Sequence, residues 1–252
     1  MIDIVIDGKR AAAEEGETIL AAARRVGIDI PTLCFHERLR PHRACRICTV
    51  EVIRGDKTTY LTACNYQIRE PLVVNTQSDG ARAHRHEIVE SFLASAPGAK
   101  TVREIARTEG IDLKTGPGGE RCIRCGLCVR VCAEVIGSGA LTYEKGADGT
   151  PYRTVTDACI GCATCAAICP TGAIVVEDGG GVRRIGRDKR EFPLVACREC
   201  GRPITTQKHL AAIRGKRNLP DEAALVCGPC KRGAFAQKVV AGDTLMGPRA
   251  DT

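Results

Sequence analysis

The 252-residue sequence has no tryptophan, four tyrosines and four phenylalanines. A core built from large rings is therefore excluded, and something else must hold the fold. No apolar run approaches the ~20 residues that a membrane-spanning helix needs. The N-terminus, MIDIVIDGKR, lacks the basic start, apolar stretch and cleavage site of a secretory signal. Arg24–Arg25 is not a twin-arginine signal, because it falls inside a helical pattern. No Walker loop occurs. DGGGVRRIG at 178–186 lacks the glycine order of a dinucleotide fingerprint, and no strand is read before it. No C-x3-C-x2-C radical-SAM pattern and no nucleophile–base pairing can be named. Hydride, phosphoryl and radical-SAM chemistry thus have no motif here, and no catalytic residue is assigned.

What the sequence has is cysteine, sixteen in all. They are bunched in C-x2-C pairs, which suit metal better than loop-closing disulfides. Thiols kept for metal imply a reducing compartment, so the expectation is a soluble cytoplasmic protein. The formal charge is +7 with thiols neutral. A basic excess ordinarily suggests nucleic acid or membrane partners. Thiolate ligation changes that balance. Four four-thiolate sites, each about 2− with its metal core, would bring the protein close to neutral. No basic patch is interleaved with aromatics for base stacking, so no nucleic-acid partner is expected. A zinc-rich nucleic-acid binder would be colourless; an iron–sulfur protein would be brown.

The cysteines fall into four quartets: Cys34, Cys45, Cys48 and Cys64; Cys122, Cys125, Cys128 and Cys132; Cys159, Cys162, Cys165 and Cys169; Cys197, Cys200, Cys227 and Cys230. The second and third share C-x2-C-x2-C-x3-C, an internal duplication. Three cysteines two residues apart in a loop can face three corners of one cubane. The fourth, three residues on, faces away and reaches the neighbouring cluster. Cys122, Cys125 and Cys128 are therefore expected to share one [4Fe–4S] cluster with Cys169. Cys159, Cys162 and Cys165 are expected to share the other with Cys132. Zinc is a poor fit, because its ligands come as two separated pairs.

Residues 118–177 resemble the bacterial two-[4Fe–4S] ferredoxins, a compact α+β family that passes electrons between its clusters. The resemblance includes the PTGAI run at 170–174. Ala133 stands where the signature has proline after the first run; Pro170 follows the second.

Residues 1–78 read as a small mixed sheet with one packed helix. IDIVID alternates, Asp7–Gly8 is a turn, and KRAAAEEG is a weaker second strand. ILAAARRVGI carries apolar residues at helical spacing and ends at Gly27. CTVEVI and TTYLTAC form a further strand pair. The first quartet lies in this region as C-x10-C-x2-C-x15-C, a longer first gap than plant-type [2Fe–2S] spacing. The segments DIPTLCFHE, ACRICTVEV and TAC resemble the N-terminal domain of the complex I electron-input subunit. They are similar too to the small diaphorase subunit of NAD-reducing hydrogenases and to NAD-dependent formate dehydrogenases. The resemblance covers about residues 1–95 and implies a β-grasp domain with one [2Fe–2S] cluster on Cys34, Cys45, Cys48 and Cys64. His36 and His42 read as loop residues, since four thiols suffice. The family's next segment usually carries one histidine and three cysteines for another cluster. Here residues 90–110, ESFLASAPGAKTVREIARTEG, have neither residue type, and that cluster is expected to be absent. His84 and His86 point to different sides of a helix and read as surface residues.

Residues 79–117 then form a helical connector, with GPGGE at 116–120 as a flexible joint. Residues 178–191 read as a solvated glycine-rich turn. Residues 178–235 carry the last quartet as a zinc-ribbon-like lobe around a helix, QKHLAAIRGKRN. Its two knuckles favour a structural Zn2+. The same thiolates also suit a mononuclear iron or a fourth Fe–S cluster. Residues 236–252 read as a tail.

The fold class expected is thus α+β: a β-grasp [2Fe–2S] domain, a helical connector, a two-[4Fe–4S] ferredoxin domain and a metal-stapled lobe. The function implied is an electron-transfer subunit of a cytoplasmic oxidoreductase complex. Its partners would be a flavin/NAD(P) diaphorase-type subunit and a hydrogenase- or formate-dehydrogenase-type catalytic subunit. A free-standing ferredoxin that shuttles by diffusion is the alternative. A diffusing carrier needs neither the connector nor the lobe.

Overall fold

The computed structural model describes residues 1–112, 122–145, 151–186, 189–217 and 225–240. The glycine-rich joint at 116–120 and the end of the tail lie outside them. The chain forms two compact units. The first is Met1–Asp157 with Thr164–Ile174; the second is Ala158–Ala163 with Val175–Thr252. The division falls inside the second duplicated cysteine run.

The first unit opens with strands β1 (Ile2–Ile6) and β2 (Lys9–Ala13), followed by helix α1 (Ile19–Arg25). Strands β3 (Thr49–Arg54), β4 (Lys57–Thr62) and β5 (Leu72–Asn75) complete a five-stranded sheet of order β2-β1-β5-β3-β4. β1 and β5 run parallel; the other pairs are antiparallel. Alternation along the strands decides the buried face: Ile4 and Ile6, Val50 and Val52, Leu72 and Val74 all point inward. Ile19, Leu20, Ala22 and Ala23 of α1 pack onto them. Thr18 starts that helix by accepting a hydrogen bond from the Ala21 amide, and Gly27, at φ 74°, follows its end.

Helices α2 (Asp79–Ser95) and α3 (Lys100–Thr108) build a second core. Ser78 caps α2, which begins where the helical connector is expected to start. Val89, Ala96, Ala99, Val102 and Ala106 supply the packing, and small residues let the two helices approach closely. The fully buried Arg85 ties this pair to the sheet. Its guanidinium meets Glu109 at 2.9 Å and donates to the Thr76 and Thr49 carbonyls at 2.8 and 3.3 Å. His84 is exposed against Tyr60, as a surface residue would be, whereas His86 is half-buried and bonded to the Glu109 carbonyl at 3.0 Å.

Helix α4 (Leu127–Arg130) runs on into a π-helical segment, Val131–Ile136, that ends at Gly137. The hairpin of β6 (Leu141–Lys145) and β7 (Pro151–Val155) and the short α5 (Thr164–Ala167) complete the unit.

The second unit is an antiparallel sheet of β8 (Val176–Gly179), β9 (Val182–Ile185), β10 (Arg190–Ala196) and β11 (Pro203–Thr206), in reverse order across the sheet. Helices α6 (Gln207–Arg217) and α7 (Gly228–Val240) follow. The stretch read as a solvated turn is largely strand. A strand does precede the glycine run, but another strand, not a helix, follows it. α7 also continues past residue 236, where the sequence reads as tail.

Candidate iron–sulfur and metal centres

The first quartet lies on the loop between α1 and β3 and just after β4. All four cysteines are buried. Their thiols associate in twos. A hydrogen bond between Cys34 and Cys45 holds the Cys34 thiol down at about 6 and pushes Cys45 up. The same exchange between Cys48 and Cys64 raises Cys48 and lowers Cys64. The Cys45 amide also points at the Cys34 sulfur, 3.5 Å away. Four buried thiols grouped two and two fit a centre of two irons, each taking two thiolates. His36 and His42 are both exposed; the His36 Nδ1 accepts from the Arg38 amide.

The second run is packed against this loop. Leu33, Cys34, Leu39, Cys45 and Ile47 share a buried core with Ile123, Cys125, Leu127 and Val131. Arg130 donates to the carbonyls of Cys34 and Arg40, both at 2.6 Å. Glu134 accepts from the Arg40 amide at 3.2 Å. Burial pushes the Cys125 thiol up to about 12, with Cys128, Cys169 and Cys34 as neighbouring charges. Cys169 therefore lies within electrostatic reach of Cys125, although 44 positions separate them in the sequence. Burial opposes ionisation of Cys169, but the Thr171 hydroxyl and the amides of Thr171, Ala173 and Gly172 outweigh it and lower its thiol. Cys132 sits in the π-helical segment beside the Ser138 hydroxyl, at 3.2 Å. Such bulges recur at functional sites.

The duplication extends to the backbone. Arg124 and Gly126 have φ of 53° and 76°. Gly161 and Ala163, at the equivalent places of the other run, have φ of 70° and 64°. Left-handed residues at these points turn the chain so that successive cysteines face one side. Cys159 and Cys162 belong to the second unit, and Cys165 and Cys169 to the first.

In the second unit, the four C-terminal cysteines converge. Their sulfurs all lie within 4.8 Å of one another, and Cys200 and Cys227 are 3.7 Å apart. Among the described residues, no other group of three or more potential ligands converges in this way. A tetrahedral ion with metal–sulfur bonds of ~2.3 Å has sulfur–sulfur edges of ~3.8 Å. The site therefore has the dimensions of a single ion. A multi-iron cluster, with each thiolate on its own iron, needs a wider ring. Hydrogen bonds from the Cys227, Cys200 and Glu199 amides hold the Cys197 thiol down at about 6. Arg202 lowers Cys200, donating to its sulfur at 3.4 Å. Hydrogen bonding with Cys227 raises Cys230 to about 12.

Sequence reasoning singled out all sixteen thiols as ligands, of which Cys197, Cys200, Cys227 and Cys230 converge within 4.8 Å. It missed Arg130, Arg183, Thr206 and the reason for Gly161. None has a local motif: the first three act on backbone carbonyls far along the chain, and Gly161 lies against distant side chains.

Residues 1–79 match the 2Fe-2S iron-sulfur cluster binding domain, and residues 121–173 match the 4Fe-4S dicluster domain. The G 2 subunit of NADH-quinone oxidoreductase from Rhizobium meliloti is 33% identical over 206 residues, covering 69% of this chain and 24% of that protein. The alpha subunit of NADPH-Fe(3+) oxidoreductase from Geobacter sulfurreducens is 31% identical, with the same coverage of 69% and 24%. The HndD subunit of the NADP-reducing hydrogenase from Solidesulfovibrio fructosivorans is 30% identical over 71% of this chain and 36% of its own. This chain thus spans between a quarter and about a third of the length of these relatives. A chain of the NAD+-reducing [NiFe]-hydrogenase in its H2-reduced state shares the fold. The TM-score is 0.57 at 24% identity, over 68% of this chain and 86% of that one. With the two domains matched in order and these subunits aligned over most of the chain, the protein is an iron–sulfur protein homologous to the G-type and 75 kDa subunits of NADH oxidoreductases and to their NADPH- and hydrogenase-linked relatives.

Proposed function

We propose that this chain is the electron-relay subunit of a cytoplasmic oxidoreductase complex. It would pass electrons between a flavin/NAD(P) diaphorase-type subunit and a hydrogenase- or formate-dehydrogenase-type catalytic subunit. The observation that carries this reading is the shared core of the Cys34 loop and the Cys125 run. It supports two redox centres close enough for direct transfer, without a further cluster on one histidine and three cysteines between them. The relatives' names supply the nicotinamide and hydrogenase link, and the sequence resemblance supplies the diaphorase- and formate-dehydrogenase-type partners.

The ligand sets proposed are those the sequence suggests, with the split of the first quartet between its two irons taken from the pairing of its thiols. Cys34 and Cys45 hold one iron of the [2Fe–2S] centre and Cys48 and Cys64 the other, in a β-grasp domain. Cys122, Cys125, Cys128 and Cys169 hold one [4Fe–4S] cluster; Cys159, Cys162, Cys165 and Cys132 hold the second. Zn2+ occupies Cys197, Cys200, Cys227 and Cys230 and closes that lobe. Once bound, the clusters accept and release single electrons. The protein's own contribution is to bury them, hold their loops and exclude water. Among the described residues no helix is long and apolar enough to cross a membrane.

Anaerobic purification followed by metal analysis tests this. The expected content is about 10 iron, about 10 labile sulfide and about 1 zinc per chain. About 14 iron would put a fourth cluster at the C-terminus, and iron near zero would end the relay reading.

A further inference from the structure

The loop carrying Cys159 and Cys162 is gripped by the same hairpin that the C-terminal cysteines close. Three contacts make the grip. The buried Thr206 hydroxyl, at the end of β11, donates to the Ile160 carbonyl and accepts the His209 amide at 3.2 Å. It thereby joins the cysteine loop to the first turn of α6. Arg183 of β9 donates to the Gly161 carbonyl at 3.2 Å. Asp178 aims that guanidinium through two bonds of 2.8 Å. Gly161 itself lies against Phe192 of β10. A Cβ there would meet the Phe192 ring at 2.7 Å and the Thr206 methyl at 2.8 Å.

The two strands that bear Phe192 and Thr206 are joined by the knuckle Cys197–Cys200. The Cys197 amide donates to the Arg202 carbonyl at 2.7 Å, and the Gly201 amide to the Cys197 carbonyl at 2.9 Å. The pairing of β10 with β11 is irregular at Val195/Ala196, immediately before the knuckle. The regular ladder is interrupted at this end of the hairpin, and a metal on the thiols would brace it. The second pair reaches in from the far side: Cys227 donates its amide to the Cys197 sulfur at 3.3 Å, and Arg198 donates to the Leu225 carbonyl at 2.9 Å.

We infer that the C-terminal metal is a positioning ion for the second [4Fe–4S] cluster: by fixing the β10–β11 hairpin it holds Phe192 and Thr206 against Ile160–Gly161. This rests on the cluster and zinc assignments proposed above. It gives the lobe a task in the relay that is not itself electron transfer. Losing the ion frees the hairpin, and the loop bearing Cys159 and Cys162 loses its backing.

The test is a double variant, Cys227→Ser with Cys230→Ser, which leaves every hairpin residue intact. Zinc, iron and sulfide are measured in the anaerobically prepared full chain. The [2Fe–2S] signal in electron paramagnetic resonance serves as the internal control for folding. The expected result is loss of zinc together with about 4 of about 10 irons, with the [2Fe–2S] signal retained. A second variant, Gly161→Ala, is expected to lose the same irons while keeping its zinc. If the double variant loses zinc yet keeps all its iron, the inference is overturned. If Gly161→Ala keeps all its iron, the grip itself is refuted, whatever the fate of the double variant. Wild-type protein without iron would instead remove the reading on which both rest.

Discussion

The Arg130 guanidinium donates to the main-chain carbonyl of Cys34 at 2.6 Å, across 96 positions of sequence. One fixed positive charge thus sits on the loop of the first quartet and is carried by the helix of the second. Its other arm takes the Arg40 carbonyl, so both ends of the Cys34–Arg40 segment are held from one residue.

Arg130→Met should therefore act twice. Losing a cation beside the first centre disfavours the extra electron, so the [2Fe–2S] potential should move in the negative direction. Losing charged hydrogen bonds to two carbonyls should cost about 1.5–3 kcal/mol of stability. Arg130→Lys keeps the charge without the fork and should restore most of the potential but little of the stability. Redox titration and chemical denaturation of the same variants separate the two effects. A potential unchanged in Arg130→Met would show that the charge does not reach the centre.

Cys169→Ser tests the crossed ligand set. It should alter the cluster held by Cys122, Cys125 and Cys128. A change confined to the signal of the other cluster, with the first untouched, would mean that each run serves its own iron.

The buried Arg85–Glu109 pair makes a stability prediction independent of metal. Their side chains are 0% and 9% exposed. Glu109→Ala would leave a guanidinium enclosed with carbonyls as its remaining partners. The expected cost is about 3–5 kcal/mol, read from denaturant midpoints. Removing both charges, as Arg85→Met with Glu109→Leu, should recover much of it. An equal loss in the double variant would assign the effect to packing instead.

Zinc binding to the C-terminal thiols should depend on pH in a specified way. In the metal-free protein, Cys197 is held at about 6, so it is already a thiolate at neutral pH. Cys230, at about 12, must give up its proton on binding. Affinity therefore rises with pH throughout. The sign for Cys197 follows from its depressed value. Its contribution is present above the unfolded thiol range and is lost as pH falls through about 6. Below that point the metal must displace one more proton, and the slope of log affinity against pH should steepen by about one. Chelator competition across the range measures it; a constant slope would contradict the arrangement of amides around Cys197.

What the sequence made legible was mostly local. C-x2-C-x2-C-x3-C needs only loop geometry, and the alternation of Ile4 and Ile6 or Val50 and Val52 needs only a strand with one buried face. Thr18 and Ser78 cap their helices from neighbouring positions, a local signal that the sequence reading left unused. The supports of the cysteine loops were not legible. Thr206 reaches Ile160 across 46 positions and Arg183 reaches Gly161 across 22. Nothing in a threonine or an arginine announces a partner that distant. The same remoteness misled the reading of residues 178–191. Their basic residues look solvated, but Arg183 is only 15% exposed and is held in place by Asp178. A glycine-rich polar stretch can thus be a strand whose charge is spent on a carbonyl elsewhere.

The two cysteine runs place their glycines reciprocally, at Gly126 in one and Gly161 in the other, leaving Arg124 and Ala163 to adopt the left-handed turn with a side chain. The repeated spacing has therefore not made the halves interchangeable. Grafting the second run into the first position would relax the turn at 124 but put alanine at the left-handed position 126 and in place of Arg130, which holds the Cys34 and Arg40 carbonyls. Grafting the first into the second would put an arginine at 161, into the Phe192 ring. The exchange works in neither direction, because each run carries contacts to its surroundings that its copy lacks.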